Sequence, residues 1–437
     1  MAVVGSGPAG FYAAGALLAA ELPVEVDMIE RLPTPWGLVR LGVAPDHPKI
    51  KSVSRAFERI AAQPGFRFLG NVEVGRDLSH DELLEHYDAV VYAVGAQTDR
   101  RMGIPGEDLP GSWAATEFVA WYNGHPDFQA LEFDLSVERA VVIGNGNVAL
   151  DVARMLALTP EELAPTDTTD AAIDAINGSG IREIVVVGRR GPAQAAFTTP
   201  ELQELGELAG ADVIVDAAEF EGAEPLDTNS RRNLEVLREF AARSPAGKPK
   251  RLVLRFFRSP VRLLGEGRVE ALELVRNTLD EHLRAAPTDE LETLPAGIVF
   301  RSVGYRGVEL PGVPFDPVTG TIPNDGGRVV PGVYVAGWIK RGPSGVIGTN
   351  KKDATETVEL LLADRRDTPR KGRSPDEIER LLVGRGVRLV MYPGWSAIDE
   401  HERGVGDTLG RPRVKLCSWD ELLAAAEKAA AAVDSKA

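Results

Sequence analysis

The feature that most constrains this chain is a glycine-rich turn that occurs twice, each time between an apolar strand and a helix. The first turn, Gly5-Ser6-Gly7-Pro8-Ala9-Gly10, follows a predicted strand at Ala2–Val4 and precedes a predicted helix from Phe11 to Ala20. The second turn, residues 144–149, follows the apolar run AVVIG and precedes a helix that continues to Leu158. Both segments predict βαβ units, and this is the one internal repeat that we find in the sequence.

The glycine spacing of the first turn matches the fingerprint of a dinucleotide-binding site. Gly5 permits the tight turn, Gly7 lets a pyrophosphate approach the backbone, and Gly10 allows close packing of helix on strand. Glu30 follows the second predicted strand, Val24–Ile29, where a carboxylate can accept hydrogen bonds from ribose hydroxyls. We therefore predict a dinucleotide site here, against the alternative of a glycine turn without a ligand.

The second turn carries Gly144, Gly146 and Ala149, and the fingerprint accepts alanine at its third position. The next predicted strand, Glu183–Val187, leads to Gly188-Arg189-Arg190 instead of to an acid. Two guanidinium groups at this position suit the 2′-phosphate of NADP, because arginine binds phosphate through paired, charge-assisted hydrogen bonds. The alternative is a solvated basic pair with no ligand.

The cysteine content limits the redox chemistry open to the chain. Cys417 is the single cysteine, so an internal disulfide, a CxxC pair and a four-cysteine iron–sulfur site are all excluded. The six histidines show no paired spacing, and we predict no metal site. Two dinucleotide sites without cysteine chemistry imply two organic cofactors that exchange electrons, most simply a flavin and a nicotinamide.

Charge and hydropathy limit the partners that the protein can bind and the cellular location that we expect for it. The net charge of −16 argues against nucleic acid as a partner. No run of roughly 18 apolar residues occurs, and the N-terminus lacks the features of a signal peptide, so we expect a cytoplasmic protein with no membrane segment. The segment 231–258 departs from the acidic balance, with nine basic residues against two acidic ones.

The remaining segments suggest how the chain is organised. The segment Thr34–Lys51 is rich in proline and glycine, which predicts a structured loop rather than a helix. A strand at Val299–Gly304 is expected to return the chain to the first domain. A further helix is predicted at Lys351–Ala363, and the chain ends in an alanine-rich helix from Trp419 to about Val433.

Four stretches of the sequence resemble the adrenodoxin-reductase-like ferredoxin–NADP⁺ reductases, and especially their actinobacterial members. They are GSGPAGFYAA, TPWGLVRLGVAPDHPKIK, IGNGNVALDVAR followed by VGRRGPAQAAFTTPEL, and GWIKRGPSGVIGTNKKDA, and they span residues 5 to about 354. The resemblance implies an α/β protein with two Rossmann-like dinucleotide-binding domains of the glutathione-reductase type. It places the NADP domain, residues 105–304, as an insertion in a discontinuous FAD domain, residues 1–104 and 305–437.

The resemblance also implies site residues, position by position. The positions that match contacts to non-covalently bound FAD are Ala9, Glu30, Leu38, Val74, Trp338, Gly345, Val346 and Ile347. The positions that match NADP contacts are Arg101, Asn145, Gly146, Asn147, Val148, Arg189, Arg190 and Glu201, and Gly345 is expected to touch both nucleotides. As alternatives, Trp338 is ordinary core, Leu38 and Val74 serve packing alone, and Arg101 is a surface charge.

Two further residues are candidates for a catalytic role. The loop Asp46-His47-Pro48 resembles the family loop that approaches the flavin, and Glu204 of the other domain is a candidate partner for His47. The acidic residues Glu201, Glu204 and Glu207 are spaced as one helix face. The alternatives are a structural histidine and, for Glu204 and Glu207, a solvated acidic helix face. Because hydride transfer needs stacking and orientation more than an acid or a base, we expect His47 and Glu204 to orient or tune, with a smaller effect than loss of Arg190.

The sequence therefore predicts a reductase that transfers hydride from NADPH to FAD and then passes single electrons to a ferredoxin-type iron–sulfur protein. The segment 231–258 would dock an acidic ferredoxin, unless it is a solvated basic segment with no partner. The absence of CxxC and of cysteine-rich motifs excludes a disulfide reductase and a glutamate-synthase-like subunit. A nucleotide-binding redox sensor without turnover stays open, and the resemblance suggests a monomer.

Overall fold

The computed structural model describes residues 1–366, 368–372 and 374–434. The strands are β1 (Ala2–Val4), β2 (Val26–Glu30), β3 (Phe66–Gly70), β4 (Val90–Tyr92), β5 (Thr98–Asp99), β6 (Ser112–Ala114), β7 (Arg139–Ile143), β8 (Glu183–Val187), β9 (Ala211–Val215), β10 (Lys250–Arg255), β11 (Arg258–Leu264), β12 (Ala271–Leu279), β13 (Ala285–Pro295), β14 (Ile298–Arg301), β15 (Tyr305–Arg306), β16 (Arg328–Val330) and β17 (Val333–Val335).

Helices stand between many of these strands, whereas β10 to β17 follow one another without an α-helix between them. The helices are α1 (Pro8–Leu18), α2 (Leu38–Leu41), α3 (Pro48–Lys51), α4 (Ser54–Ala61), α5 (His80–His86), α6 (Ala115–Tyr122), α7 (Asn147–Ala157), α8 (Pro160–Leu163), α9 (Asp170–Asn177), α10 (Thr199–Leu205), α11 (Thr228–Ala242), α12 (Trp338–Arg341), α13 (Ile347–Arg365), α14 (Pro375–Gly384), α15 (Tyr392–Thr408) and α16 (Trp419–Asp434). None of the helices in the described part of the chain is long and apolar enough to cross a membrane.

The chain forms two compact units. The first unit comprises Met1–Thr98, Asn123–Asp127 and Tyr305–Ala437, and the second comprises Asp99–Tyr122 and Phe128–Gly304. The second unit is thus inserted in the first, as the predicted fold class requires. The assignment of the two units to FAD and to NADP stays a prediction at this point.

The first unit is built on a six-stranded sheet in the order β16-β17-β4-β1-β2-β3. Its strands run parallel except for the antiparallel pair β16 and β17. Strands β1 and β4 are buried along their whole length, which is why they read as short unbroken apolar runs instead of alternating patterns. Helix α1 packs against α13, and its small residues Ala13 and Ala14 are fully buried, so the two helices approach closely.

The second unit contains a six-stranded parallel sheet in the order β6-β14-β7-β8-β10-β9. Helices α7 and α11 contribute to the apolar core on one face of this sheet. On the other face, Val141 and Val185 pack with Leu272 and Leu274 of a three-stranded antiparallel sheet, β11-β12-β13. Both faces of the parallel sheet are therefore covered, as expected for its continuously apolar strands.

Two sequence-based expectations about these elements are wrong. The strand predicted at Val299–Gly304 is β14, which pairs with β6 and β7 inside the second unit, and the chain returns to the first unit only at Tyr305. The segment Thr34–Lys51 contains the short helices α2 and α3 instead of loop alone. Proline tolerates the first position of a helix, so Pro48 begins α3 instead of preventing it.

Candidate functional site

The first glycine turn has the close contacts that its fingerprint demands. Gly5 has a φ of 101°, and a Cβ atom there would lie 2.6 Å from the carbonyl oxygen of Ala93. A Cβ atom on Gly10 would lie 1.9 Å from the carbonyl oxygen of Gly5, so only glycine lets α1 pack on the strand. Gly7 differs, because no described atom beyond its own and the adjacent residues lies within 4 Å of the position that its Cβ would take. The backbone of Gly7 therefore faces open space at the N-terminus of α1, where a phosphate can bind.

The carboxylate of Glu30 lies directly beside this turn. Its Oε2 accepts hydrogen bonds from the backbone N–H of Ser6 at 3.0 Å and from the Ser6 hydroxyl at 2.7 Å. Its Oε1 accepts from the backbone N–H of Leu32 at 3.0 Å. These bonds hold Glu30 at the end of β2, the position from which a carboxylate reaches a ribose.

A second backbone segment, Trp36-Gly37, packs closely against the same turn. The backbone N–H of Trp36 donates to the carbonyl of Ser6 at 3.0 Å, and a Cβ on Gly37 would lie 3.0 Å from the Cα of Gly7. Gly37 has a φ of 50°, a region that glycine adopts without strain. Leu38 then begins α2 with 37% of its surface exposed, and its contact with FAD stays a prediction.

The turn after β17 brings further predicted residues to the first fingerprint. A Cβ on Gly337, which has a φ of 80°, would lie 2.6 Å from the Cβ of Ala9. Trp338 begins α12, is partly exposed, and donates from its indole Nε1 to the carbonyl of Ser344 at 3.2 Å. Trp338 therefore lies at the surface of the first unit and is not an ordinary core residue.

The last three predicted FAD contacts lie at the start of α13. Gly345 has a φ of 81°, Val346 is the N-cap with 61% of its surface exposed, and Ile347 is the first helical residue. The backbone N–H of Val346 donates to the hydroxyl of Thr349 at 3.2 Å. The three predicted residues thus form the N-terminus of a long helix.

Sequence reasoning missed the residue that fixes the Gly337 turn to α13. The Oδ2 of Asp353 accepts from the backbone N–H of Gly337 at 2.6 Å, and its Oδ1 pairs with the Nζ of Lys340 at 2.9 Å. Asp353 lies in the quoted motif GTNKKDA, so its presence was visible, but its partners belong to the preceding turn. It anchors the backbone that carries Trp338.

Among the predicted residues of the first unit, Val74 and His47 are buried, as Ala9 is. Val74 is 8% exposed and forms an isolated bridge with Leu78. His47 is also 8% exposed, and its backbone N–H donates to the carbonyl of Ala44 at 3.0 Å just before α3 begins. The predicted pairing of His47 with Glu204 involves both units and stays a prediction.

The second glycine turn repeats the geometry of the first. A Cβ on Gly144, which has a φ of 136°, would lie 2.1 Å from the carbonyl oxygen of Ser302. Gly146 is the N-cap of α7, and apart from the adjacent residues no atom in the described part of the chain lies within 4 Å of its Cβ position. Ala149 is fully buried. The same combination of one crowded and one open glycine therefore occurs at the N-terminus of α7.

The side chains around the second turn are polar and partly unsatisfied. The Nδ2 of Asn145 is buried and has no hydrogen-bond partner within residues 1–366, 368–372 and 374–434. The Oδ1 of Asn147 accepts from the backbone N–H of Thr198 at 2.8 Å. Val148 is half-buried and packs against the core of the second unit. A buried amide donor without an acceptor is costly, and it suits a turn that takes a polar ligand.

Arg189 and Arg190 follow β8 at the same end of the sheet as this turn. Arg189 is exposed and Arg190 is half-buried. A Cβ on Gly188, the residue before them, would lie 2.7 Å from the Nδ2 of Asn145, so the pair begins beside the second turn. The backbone that carries these two arginines therefore lies next to the second turn.

The acidic residues of α10 are not a plain solvated face. Arg154 of α7 is 2% exposed, and its Nη1 lies 3.4 Å from an oxygen of Glu201 and 3.3 Å from one of Glu204. Its Nη2 donates to the Oδ1 of Asp151 at 2.9 Å. Glu207 lies beyond the end of α10 and outside this group. Sequence analysis did not single out Arg154, because an arginine in an amphipathic helix gives no separate signal.

The position of Arg101 agrees with the alternative that it is a surface charge. Its side chain is 54% exposed, and it pairs with Asp108 and, at 3.7 Å, with Glu107. Exposed pairs of this kind are weak, and they leave the guanidinium able to exchange partners.

The basic segment 231–258 divides into two groups. Five of its cations bind carboxylates or carbonyls within the second unit, namely Lys248, Lys250, Arg251, Arg255 and Arg258. Four are exposed on α11 or just after it, namely Arg231, Arg232, Arg238 and Arg243. The surface charge of the segment is therefore concentrated on one helix, with Glu235 and Glu239 between the arginines.

The chain is similar over nearly its whole length to known reductases. It is 52% identical to the NADPH-ferredoxin reductase FprA of Mycobacterium tuberculosis, over 97% of this chain and 98% of that protein. It is 44% identical to the mitochondrial NADPH:adrenodoxin oxidoreductase of Mus musculus, over 96% of this chain and 90% of that protein. The solved structure of Mycobacterium tuberculosis FprA in complex with NADPH matches with a TM-score of 0.94 at 52% identity, covering 98% of this chain and 99% of that one.

A family model also matches the first part of the chain. It is described as pyridine nucleotide-disulphide oxidoreductase, and it covers residues 1–173. This range contains both glycine turns. Because Cys417 is the single cysteine of the chain, the match extends to the nucleotide-binding turns but not to internal disulfide chemistry.

Proposed function

The chain belongs to the family of NADPH-dependent ferredoxin reductases that includes the adrenodoxin oxidoreductases, and from this membership we infer how its two glycine turns divide the reaction. The protein is an FAD-dependent oxidoreductase that oxidises NADPH and passes electrons to a ferredoxin-type iron–sulfur protein. When bound, FAD accepts the hydride of NADPH as an electron pair and releases single electrons, which links a two-electron donor to a one-electron cluster.

The residues at both turns fit dinucleotides. Gly7 and Gly146 each leave open space where a side chain would otherwise stand, and each begins a helix whose N–H groups attract phosphate. The unpartnered Nδ2 of Asn145 adds a buried donor at the second turn.

We propose that the first unit holds FAD. Gly5, Gly7 and Gly10 give the pyrophosphate access to the backbone, and Glu30 holds the adenosine ribose. The other proposed contacts are Ala9, Leu38, Val74, Trp338, Gly345, Val346 and Ile347. The packing of Gly337 on Ala9 supports this assignment, because it puts the turn carrying Trp338 beside the first fingerprint.

We propose that the second unit holds NADPH, and the observation that carries this is the Arg189-Arg190 pair beside Gly146. A carboxylate at this strand end would favour NAD, whereas two guanidinium groups favour the 2′-phosphate of NADP. Arg101, Asn145, Asn147, Val148 and Glu201 complete the proposed set. His47 and Glu204 orient the reacting groups. Arg154 holds Glu201 and Glu204 in place through ion pairs.

Substitution of the arginine pair tests this division. In the FAD-loaded enzyme, Arg190→Ala should lower kcat/KM for NADPH by about a hundredfold, because hydrogen bonds to charged groups contribute about 1.5–3 kcal/mol each. The same change should leave kcat/KM for NADH nearly unaltered. Equal losses with both nucleotides, measured by anaerobic stopped-flow reduction of the flavin, would contradict the assignment.

We propose that the ferredoxin partner is acidic and docks on the exposed arginines of α11. Opposite charges raise the encounter rate, and salt screens this effect. The double variant Arg232→Glu/Arg238→Glu should weaken ferredoxin-dependent turnover and flatten its dependence on ionic strength. Arg268→Glu/Arg284→Glu is the matched control, since both of its arginines are exposed and lie in the same unit. Unchanged kinetics in the first variant, or an equal loss in the control, would exclude this docking surface.

Cytoplasmic location and a monomeric state stay predictions. Size-exclusion chromatography with light scattering measures the second of them directly.

A further inference from the structure

The backbone of the arginine pair is fixed from outside the parallel sheet. Three successive carbonyls each accept a hydrogen bond from the region of β11 and β12. The Gly188 carbonyl accepts from the N–H of Arg258 at 3.0 Å, and the Arg190 carbonyl accepts from the N–H of Phe257 at 3.0 Å. Between them, the Arg189 carbonyl accepts from the side-chain Nδ2 of Asn277 at 2.7 Å. The central bond is thus the only one of the three that depends on a side chain.

The surroundings of Asn277 indicate that its amide donors are what the position requires. Asn277 is 3% exposed, and its Nδ2 donates both to Arg189 and to the hydroxyl of Ser259, the latter at 2.8 Å. Its Oδ1 is buried and has no hydrogen-bond partner within the described residues. An orphaned buried oxygen destabilises a fold, and an apolar residue would avoid it. We therefore infer that the hydrogen bonds donated by the amide stabilise this site more than its unpartnered oxygen destabilises it.

The local backbone is also irregular in a way that directs Asn277 towards the pair. The register of β12 against β13 shifts between Val275 and Asn277, and such bulges change the direction of a side chain. Phe257 has a φ of 55°, which is unusual for a residue with a side chain. In this conformation its N–H reaches Arg190, and its carbonyl accepts from the backbone N–H of Asn277 at 2.8 Å. Strain of this kind persists where the surrounding structure fixes it.

We propose that Asn277 is a positioning residue for nucleotide selectivity, which it sets by holding the peptide between Arg189 and Arg190. This inference rests on the proposed role of that pair in binding the 2′-phosphate of NADPH. Paired hydrogen bonds to phosphate depend on the direction of the guanidinium groups, and a fixed backbone reduces the conformations that they must lose on binding. The sheet β11-β12-β13 thus has a role in recognition besides covering the parallel sheet.

The test compares variants of Asn277 in the FAD-loaded enzyme. Asn277→Ala removes the donors, and Asn277→Leu removes them with little change in volume. Both should raise KM for NADPH about tenfold with little change in kcat, as expected when charge is kept but geometry is lost. KM for NADH, which has no 2′-phosphate, should change less than about twofold. Binding of adenosine 2′,5′-bisphosphate, measured by calorimetry, should weaken in parallel with the NADPH effect.

Ser259→Ala is the matched control, because it removes the other acceptor of the same amide and leaves the bond to Arg189. It should keep the selectivity of the parent. The inference is overturned if the Asn277 variants keep full selectivity, if they lose activity equally with NADPH and NADH, or if Ser259→Ala has the same effect. A parent enzyme that does not prefer NADPH would instead contradict the proposed function, so the two failures are distinguishable. Should Asn277→Ala not fold, Asn277→Leu alone decides the matter, since it leaves no cavity.

Discussion

Replacing Glu402 with glutamine should destabilise the first unit far more than removing an exposed ion pair. Glu402 lies in α15 and is fully buried. Its two oxygens accept from Arg40 at 2.8 and 2.5 Å, from Arg413 at 3.1 Å and from the backbone N–H of Leu416 at 2.9 Å. Arg40 belongs to α2, which follows Gly37, so this carboxylate ties the chain's C-terminal segment to the segment beside the first glycine turn.

The expected magnitude follows from what glutamine leaves behind. Arg413 keeps its bond to Asp399 at 2.7 Å, but Arg40 is 4% exposed and has no other carboxylate partner in the described part of the chain. Removing one member of a buried pair costs about 3–5 kcal/mol. Because glutamine keeps the shape and one acceptor, we expect a loss of about 3 kcal/mol in the free energy of unfolding.

Chemical denaturation of the FAD-loaded enzyme measures this loss, followed by tryptophan fluorescence and by release of flavin. Trp36 and Trp395 pack edge to face at 4.9 Å beside these arginines, so they report on the region directly. The control is Glu427→Gln, which removes an exposed pair with Arg388 and should cost no more than about 1 kcal/mol. A loss below about 1 kcal/mol for Glu402→Gln would show that the buried carboxylate contributes no more than an exposed ion pair.

The same group predicts a dependence on pH. Burial alone would raise the pKa of Glu402, but Arg40, Arg413 and the N–H of Leu416 outweigh burial and hold the pKa below its ordinary value. A carboxyl with a lowered pKa in the folded state stabilises the fold above its unfolded pKa, and that contribution is lost as the pH falls through the folded pKa. The parent should therefore lose stability in acid more steeply than Glu402→Gln does.

Three further predictions concern the glycine turns, a buried acid and the candidate catalytic histidine. Gly7→Ala and Gly146→Ala add methyl groups that lie more than 4 Å from every described atom beyond the adjacent residues, so both should keep the Tm of the FAD-free parent. The first should lose FAD and with it the stabilisation that bound FAD adds, and the second should bind NADPH weakly while keeping FAD, as absorbance and calorimetry will report. Burial raises the pKa of Glu219 to about 7, so its contribution to stability is lost as the pH rises from about 4.5 through 7, and Glu219→Gln should remove that decline in denaturation experiments. His47→Gln should slow NADPH-driven flavin reduction less than Arg190→Ala does, and a larger effect in stopped-flow experiments would contradict a merely orienting role.

The parts of the fold that the sequence predicts well are those encoded by neighbouring residues. The predicted bounds of β1 and β8 agree with the structure, because β1 is an apolar run, β8 is an apolar run after its first residue Glu183, and a glycine follows each strand. Helix α1 begins at Pro8, three residues before the predicted Phe11, since proline and glycine are tolerated in a first turn. The fold class, with two mainly parallel sheets and an inserted second unit, is confirmed.

The parts that the sequence could not predict depend on partners far apart in the chain. Strand β14 has the same pattern as a strand of either sheet, so its pattern does not say which sheet it joins. Asn277 and Arg189 are 88 residues apart, and Arg40 and Glu402 are 362 apart, so no local pattern connects them. The roles of these residues follow only from hydrogen bonds that form once the fold brings the two partners together.

The most direct test of this electron-transfer reaction is NADPH-driven reduction of cytochrome c by the purified yellow protein, with and without added ferredoxin and with NADH as the control. We expect a rate that rises with ferredoxin and strongly favours NADPH. A rate that ferredoxin leaves unchanged, although NADPH still reduces the flavin, would contradict the assignment of the electron acceptor.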